Sequence, residues 1–262
     1  MATAMPAAGI RRRSRRRAAD PVSAGAGFPS PNFGERRGGL RPSLIVIHHT
    51  AMASAAAARA RLCDPAAEVS AHWLVAEDGT AEPLVPEAAR AWHAGAGSWG
   101  GRGDVNSASI GIELANPGDR PFAEPQMAAL ERLLAGVMAR WGIGPAGVIA
   151  HSDMAPGRKS DPGPRFDWRR LALAGLSVWP EAGAVADGAD EAAFRADLVR
   201  FGYPADVAAP VLLAAFRLRF RPWARGPLGR VECALAADLA RRWPAGAAAL
   251  PIDAGPIDAG PH

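Results

Sequence analysis

Apolar positions in the first two thirds of the chain follow two rhythms. Short β-branched runs read as buried strands: Ser43 to His49, with Leu44-Ile45-Val46-Ile47 at its centre, and Ser109 to Leu114. His72 to Ala76 and Ala81 to Val85 flank Glu77-Asp78-Gly79-Thr80, which predicts a hairpin with Asp-Gly in its turn. Gly147 to Ala150 is a further short strand, and it delivers His151. Between the strands the period changes. Ala53 to Leu62 is alanine-rich and reads as a helix. Pro125 to Trp141 places Met127, Leu130, Leu133, Leu134, Val137, Met138 and Trp141 on one helical stripe. Phe166 to Leu173 predicts a short helix. Strands alternating with helices indicate an α/β unit with a mixed central sheet flanked by helices.

The pattern changes after residue 176. Three helical stretches, at 191–201, 206–220 and 228–243, are separated by Gly202-Tyr203-Pro204 and by the Pro- and Gly-containing segment 221–227. The expected organisation is a flexible basic leader (1–40), an α/β domain (41–176), a linker (177–190), a small three-helix domain (191–244) and a tail (245–262). The tail repeats Pro-Ile-Asp-Ala-Gly and reads as disordered.

Composition narrows the classes. With 262 residues, 49% hydrophobic and 21% charged, the chain can bury a sizeable core. It has no apolar run of membrane-spanning length. Two cysteines exclude a disulfide-dense scaffold and a four-cysteine zinc site. Lys and Arg number 30 against 26 acids, giving +4, but six arginines and one acid in residues 1–20 carry +5, which leaves −1 for the rest. The basic character belongs to the leader, so no nucleic-acid partner is expected. The arginine cluster resembles the start of an export signal, yet Ala18-Ala19-Asp20-Pro21 follows where an apolar segment should. That predicts a cytoplasmic protein, with the periplasm or cell envelope as the alternative. A monomer is expected.

Five of the six histidines lie in the α/β unit. In the segment from His151 to Pro164, a histidine leaves a strand and a Gly/Pro-stiffened loop returns Asp161 ten residues later, with Lys159 two residues before it. One more imidazole would complete a set of two histidines and a carboxylate. Such a set leaves an open fourth position on a tetrahedral zinc. His48 and His49 are the candidates. Adjacent strand residues point to opposite faces, so only one of them can share that metal.

Five ordered segments carry a resemblance: Val46-Ile47-His48-His49-Thr50-Ala51, Ser70-Ala71-His72-Trp73-Leu74-Val75, Ala91-Trp92-His93-Ala94-Gly95, Asn106 to Glu113, and the His151–Pro164 loop. Together they resemble the zinc-dependent N-acetylmuramoyl-L-alanine amidases of type 2, relatives of the peptidoglycan recognition proteins, over roughly residues 30–175. The resemblance implies one zinc ion bound by His48, His151 and Asp161, with the first histidine of the pair as ligand and His49 packed on the other side. It places Glu113 at the position of the catalytic acid and Lys159 at that of the transition-state stabiliser. The implied reaction cleaves the amide between the lactyl group of N-acetylmuramic acid and L-alanine, in peptidoglycan or its muropeptide fragments. The Trp92-His93 loop would line the groove, making His93 and Trp92 candidate substrate contacts; His72, at the start of a strand near the cleft, reads equally as core or substrate contact, and Asn106 is a further candidate that could instead position the strand carrying Glu113. A non-catalytic peptidoglycan-recognition protein is the alternative, but no family ligand is missing. The C-terminal helices resemble small peptidoglycan-binding modules, although Gly229 to Arg242 departs from their pattern. A purely structural bundle is nearly as well supported.

Overall fold

The computed structural model describes residues 28–183 and 188–245. Most of the leader and the repetitive tail therefore lie outside the described residues, and with them the expectations about export and compartment. The strands are β1 (Phe33–Gly34), β2 (Leu44–His49), β3 (Trp73–Val75), β4 (Ala81–Pro83), β5 (Arg90–Ala91), β6 (Ser109–Leu114) and β7 (Val148–Ala150). The helices are α1 (Ala55–Cys63), α2 (Val105–Ala108), α3 (Glu124–Trp141), α4 (His151–Met154), α5 (Trp168–Leu173), α6 (Glu191–Phe201), α7 (Ala209–Phe220) and α8 (Arg230–Arg242).

Five strands form one sheet in the order β4-β3-β6-β2-β7, and β1 pairs separately with β5. β2 runs parallel to β6 and β7, β3 runs parallel to β6, and β4 closes the predicted hairpin antiparallel to β3. The sheet is thus mixed, as expected. Helix starts follow local chemistry. Ser54 accepts a hydrogen bond from the Ala57 N–H, so α1 begins two residues later than its alanine run. Pro125 and Pro210 sit in the first turns of α3 and α7, where a missing N–H costs nothing. Gly142 ends α3 in the left-handed region at φ 66°. The one-turn helices α2 and α4 and the β1–β5 pair are too short to leave a periodic signal in the sequence.

Strand alternation divides the core into two layers. Ile45 and Ile47 of β2, Ile110 and Ile112 of β6, and Val148 pack against Met127, Leu130, Leu134 and Val137 of α3 and against α5. On the opposite face Leu44, Val46 and Ile149 join Met154 and a cluster from the C-terminal helices, including Phe194, Phe201, Leu212 and Phe216. The three helices therefore share one core with the sheet. Trp99, 6% exposed, is the plug between them, with its ring 5.3 Å from both Phe201 and Tyr203. Gly202 sits against this indole at φ 143°, and a Cβ there would lie 2.4 Å from the Trp99 ring. Gly202→Ala should therefore destabilise the protein by about 1–3 kcal/mol, as overpacking does, read as a lower urea midpoint at unchanged slope.

Candidate active site

Three neighbouring parallel strands bring their chemistry to one level. His48 of β2 is in register with Glu113 of β6. Ile47 is in register with Ala150 of β7, so His151, the next residue, continues beside His48. Ligand sites in open α/β sheets lie at the carboxyl ends of the strands, and this site follows that rule. On β6 the same face carries Ser109, Gly111 and Glu113, while Ile110, Ile112 and Leu114 face the α3 layer.

His48 Nδ1, His151 Nδ1 and Asp161 Oδ2 converge. Their mutual distances are 2.9 Å between the imidazoles, 3.0 Å from His48 to Asp161 and 2.9 Å from His151 to Asp161. All three residues are buried. Hydrogen bonds on the far side of each ring settle which nitrogen carries the proton. His151 Nε2 lies 2.9 Å from the Ala94 carbonyl, which can only accept. The proton is therefore on Nε2, and Nδ1 keeps its lone pair. His48 leads to the same result by a longer route. Ser109 Oγ donates to the Val105 carbonyl at 2.6 Å, so it accepts from His93 Nε2 at 3.2 Å. His93 Nδ1 then accepts from His48 Nε2 at 3.0 Å. Two lone pairs and a carboxylate oxygen thus face one another with no proton between them, an arrangement that calls for a cation. Tetrahedral zinc at about 2.0–2.1 Å from N and O donors separates its ligands by about 3.3 Å, within a few tenths of an ångström of this triangle. The donor set fits zinc.

The local electrostatics agree. Burial, together with the neighbouring His151, lowers the His48 pKa to about 4 against the pull of Asp161. Glu113 behaves oppositely. Burial, and then the Asp161 charge, push it up to about 8, against the opposing charge of Lys159. Its Oε2 is buried with no hydrogen-bond partner among the described residues. A cleft of about 370 Å³ opens over these groups, and Trp92, His93 and Lys159 contribute to its walls. Lys159 is exposed at the rim.

The remaining candidates separate into wall and support. His93 and Trp92 line the cleft. Asn106 does not. Its Oδ1 accepts the His93 and Ala94 N–H groups at 3.0 and 2.8 Å, so it holds the Trp92–Ala94 loop from beneath. Of the two readings of His72, core and cleft, the fold gives core, so it is not a substrate contact. It is fully buried, its Nδ1 accepts from the Gly111 N–H at 2.9 Å, and its Nε2 donates to the Ala89 carbonyl at 3.1 Å. His49 takes no part in the triangle; its Nδ1 accepts the Ala51 N–H at 3.0 Å.

Three supporting residues escaped the sequence reading. Ser109 anchors His93. Gly111 makes room for the same ring, because a Cβ there would lie 2.4 Å from His93 Cγ. Arg158 donates to the carbonyls of Ala94, at 2.7 Å, and Ala96. For the first two a signal existed: stepping back by twos from Glu113 finds one small residue and one hydroxyl on an otherwise apolar strand.

Comparison with known proteins matches this architecture. A family model described as N-acetylmuramoyl-L-alanine amidase matches residues 38–164. The N-acetylmuramoyl-L-alanine amidase AmiD of Escherichia coli is 37% identical over 214 residues, which cover 70% of this chain and 76% of the relative. The 1,6-anhydro-N-acetylmuramyl-L-alanine amidase AmpD of Salmonella typhimurium is 34% identical over 171 residues, 58% of this chain and 91% of the relative. In structure, E. coli AmiD in complex with the substrate anhydro-N-acetylmuramic acid-L-Ala-D-γ-Glu-L-Lys superposes at a TM-score of 0.71 and 32% identity, covering 81% of this chain and 98% of that one. AmpDh3 of Pseudomonas aeruginosa superposes at 0.68 and 28% identity, covering 85% and 98%. The likeness to AmiD and AmpDh3 extends beyond the residues that the family model matches. By this identity and coverage the chain belongs to the type 2 N-acetylmuramoyl-L-alanine amidase family.

Proposed function

We propose that this protein hydrolyses the amide between the lactyl group of N-acetylmuramic acid and L-alanine in peptidoglycan fragments, with one zinc ion held by His48, His151 and Asp161. The observation that carries this reading is the meeting of two imidazole lone pairs and a carboxylate beside Glu113, whose buried Oε2 has no partner among the described residues. The substrate bound to AmiD, an anhydromuramoyl peptide, supports muropeptides as the substrate class. The cationic side chains of Arg61, Arg158 and Lys159 around the cleft suit a peptide that carries carboxylates. Among the described residues no helix is long and apolar enough to cross a membrane.

An amide is a weak electrophile with a poor leaving group. Zinc bound by these donors supplies a Lewis acid that polarises the carbonyl and lowers the pKa of water to about 7. Glu113, across the strand pair from His48, accepts the proton of the attacking water and returns it to the alanine nitrogen as the bond breaks. Its unpaired Oε2 is free for that exchange, and the same low-dielectric surroundings keep its pKa within reach of neutral pH. Lys159 at the rim donates to the oxyanion that develops on the carbonyl oxygen. His93 and Asn106 keep the Trp92 loop and the His48 ring in place.

Release of the free stem peptide from an anhydromuramoyl peptide, followed by chromatography, tests the proposal. Activity should vanish on chelation and return with zinc, and His151→Ala should no longer retain the metal. Binding of the muropeptide without peptide release, with zinc supplied, would instead make this a recognition protein. Glu113→Gln should lower kcat by about 10²–10⁴-fold while zinc content stays at the parent level. Lys159→Met should cost about 10²–10³-fold, again in kcat.

A pH dependence follows from the neutral imidazoles. His48 and His72 are lowered from 6.5 to about 4 and about 3 by burial, helped by His151 and by Arg36 respectively. Below pH 6.5 the unfolded chain takes up protons at these two sites that the folded one refuses; Glu113, raised to about 8, acts in the opposite direction as one group against two, so stability falls as pH falls through that window. Denaturant titrations of the metal-free protein at pH 7 and pH 5 should show the lower midpoint at pH 5.

A further inference from the structure

We infer that Arg219 and Tyr203, from the C-terminal helical region, are positioning residues for the metal site: they clamp Asp153 and thereby hold the one-turn helix α4 that presents His151. The inference rests on the zinc reading above.

A four-residue helix has no stability of its own, so the placement of α4 has to come from outside it. Asp153, on α4, is fully buried. Its Oδ2 accepts the Ala150 N–H at 2.9 Å and the Arg219 Nη1–H, and its Oδ1 accepts the Tyr203 hydroxyl at 2.6 Å. Arg219, 1% exposed, also donates from Nη2 to the Val148 carbonyl at 3.0 Å and to Ser177 Oγ at 3.1 Å. Its guanidinium lies 4.3 Å from the Trp168 ring centroid. One side chain of α7 therefore grips the chain on both sides of His151, at residues 148 and 153. The grip extends to the carboxylate of the triangle as well, because the Ser152 N–H on α4 donates to the Asp161 carbonyl at 3.0 Å. Moving α4 moves two of the three donors together.

A general structural role predicts a different outcome from a positioning role. Truncating a helix–sheet contact lowers stability without changing how well the folded protein holds its metal. Loosening α4 changes the donor triangle itself. Outer hydrogen bonds to a ligand typically govern metal affinity by about 10–100-fold, and the clamp acts one step further out, so the expected loss is near the lower end, about tenfold.

The test uses the full-length protein well below its melting temperature, with native circular dichroism required of each variant. Tyr203→Phe removes one hydroxyl and keeps the packing. Asp153→Asn and Arg219→Lys weaken the ion pair more severely, and Tyr203→Phe carries the test alone if they do not fold. Leu134→Ala on α3, in the other core layer, serves as the destabilised control. Zinc affinity by chelator competition and the visible spectrum of the cobalt-substituted protein are read for each. The expected result is zinc affinity about tenfold weaker and an altered cobalt spectrum in the clamp variants, with both unchanged in the control. Clamp variants that melt earlier but match the parent in zinc affinity and cobalt spectrum would overturn the inference. A parent protein that takes up no stoichiometric zinc would overturn the proposed function, and this inference with it.

Discussion

The parallel register of β6, β2 and β7 is the constraint on which the site depends. Parallel pairing without offset brings Glu113, His48 and the residue after Ala150 to one height on one face. A shift of one residue in β2 would turn His48 into the α3 layer and bring His49 to the place His48 now holds, because strand side chains alternate with period two. The shift is resisted by the hydrophobic cost of the same move. Ile45 and Ile47 would leave the α3 layer, and burying each such side chain stabilises the fold by about 1.5–3 kcal/mol. The apolar residues of β2 thus specify the position of its one buried histidine.

Gathering two imidazoles and a carboxylate in the interior is costly unless every polar atom is satisfied. The surroundings meet that demand through the backbone. The carbonyls of Ala94 and Val105, the second acting through Ser109 and His93, orient both metal-facing rings from behind. Glu113 is the exception, with an oxygen left unpaired. A buried carboxylate oxygen without a partner destabilises the fold, and in the proposed reaction it belongs to the group that exchanges a proton. The unpaired carboxylate oxygen and the outward ring nitrogens, whose hydrogen bonds are made, therefore mark different tasks within a single cluster.

Much of this was legible in the chain. The strand and helix periods located every long element to within a few residues, and strand parity reduced the His48–His49 pair to a single reachable ligand before the resemblance chose between them. What was not legible has a common cause. His72 and Asn106 stay open between cleft and support in sequence, because both stand beside strand-like runs. Their partners, the Gly111 N–H and the His93 N–H, lie 39 and 13 residues away. Local pattern shows which face a residue occupies, but not whether that face is covered. The Arg219 pairing was hidden for the same reason. In the run Phe216-Arg217-Leu218-Arg219-Phe220-Arg221 nothing local separates the middle arginine from the other two, and only the fold shows that it meets an acid 66 residues earlier.

The buried Arg219–Asp153 pair also bears on why the three helices follow the sheet in this chain. Exchanging a buried ion pair for apolar residues of similar volume is often neutral or favourable for stability, so stability alone does not require it here. Two alternatives within reach, leucine and phenylalanine, already fill the surrounding cluster. What an apolar contact cannot supply is direction. The guanidinium fork fixes the Val148 carbonyl, the Asp153 carboxylate and the Ser177 hydroxyl at set angles. A chain segment that bends from strand to helix within one residue, and places a metal-facing imidazole at the bend, needs that directional constraint. In the proposed arrangement α7 serves as a floor beneath α4, and any contact the helices make with the cell wall would be additional to that role.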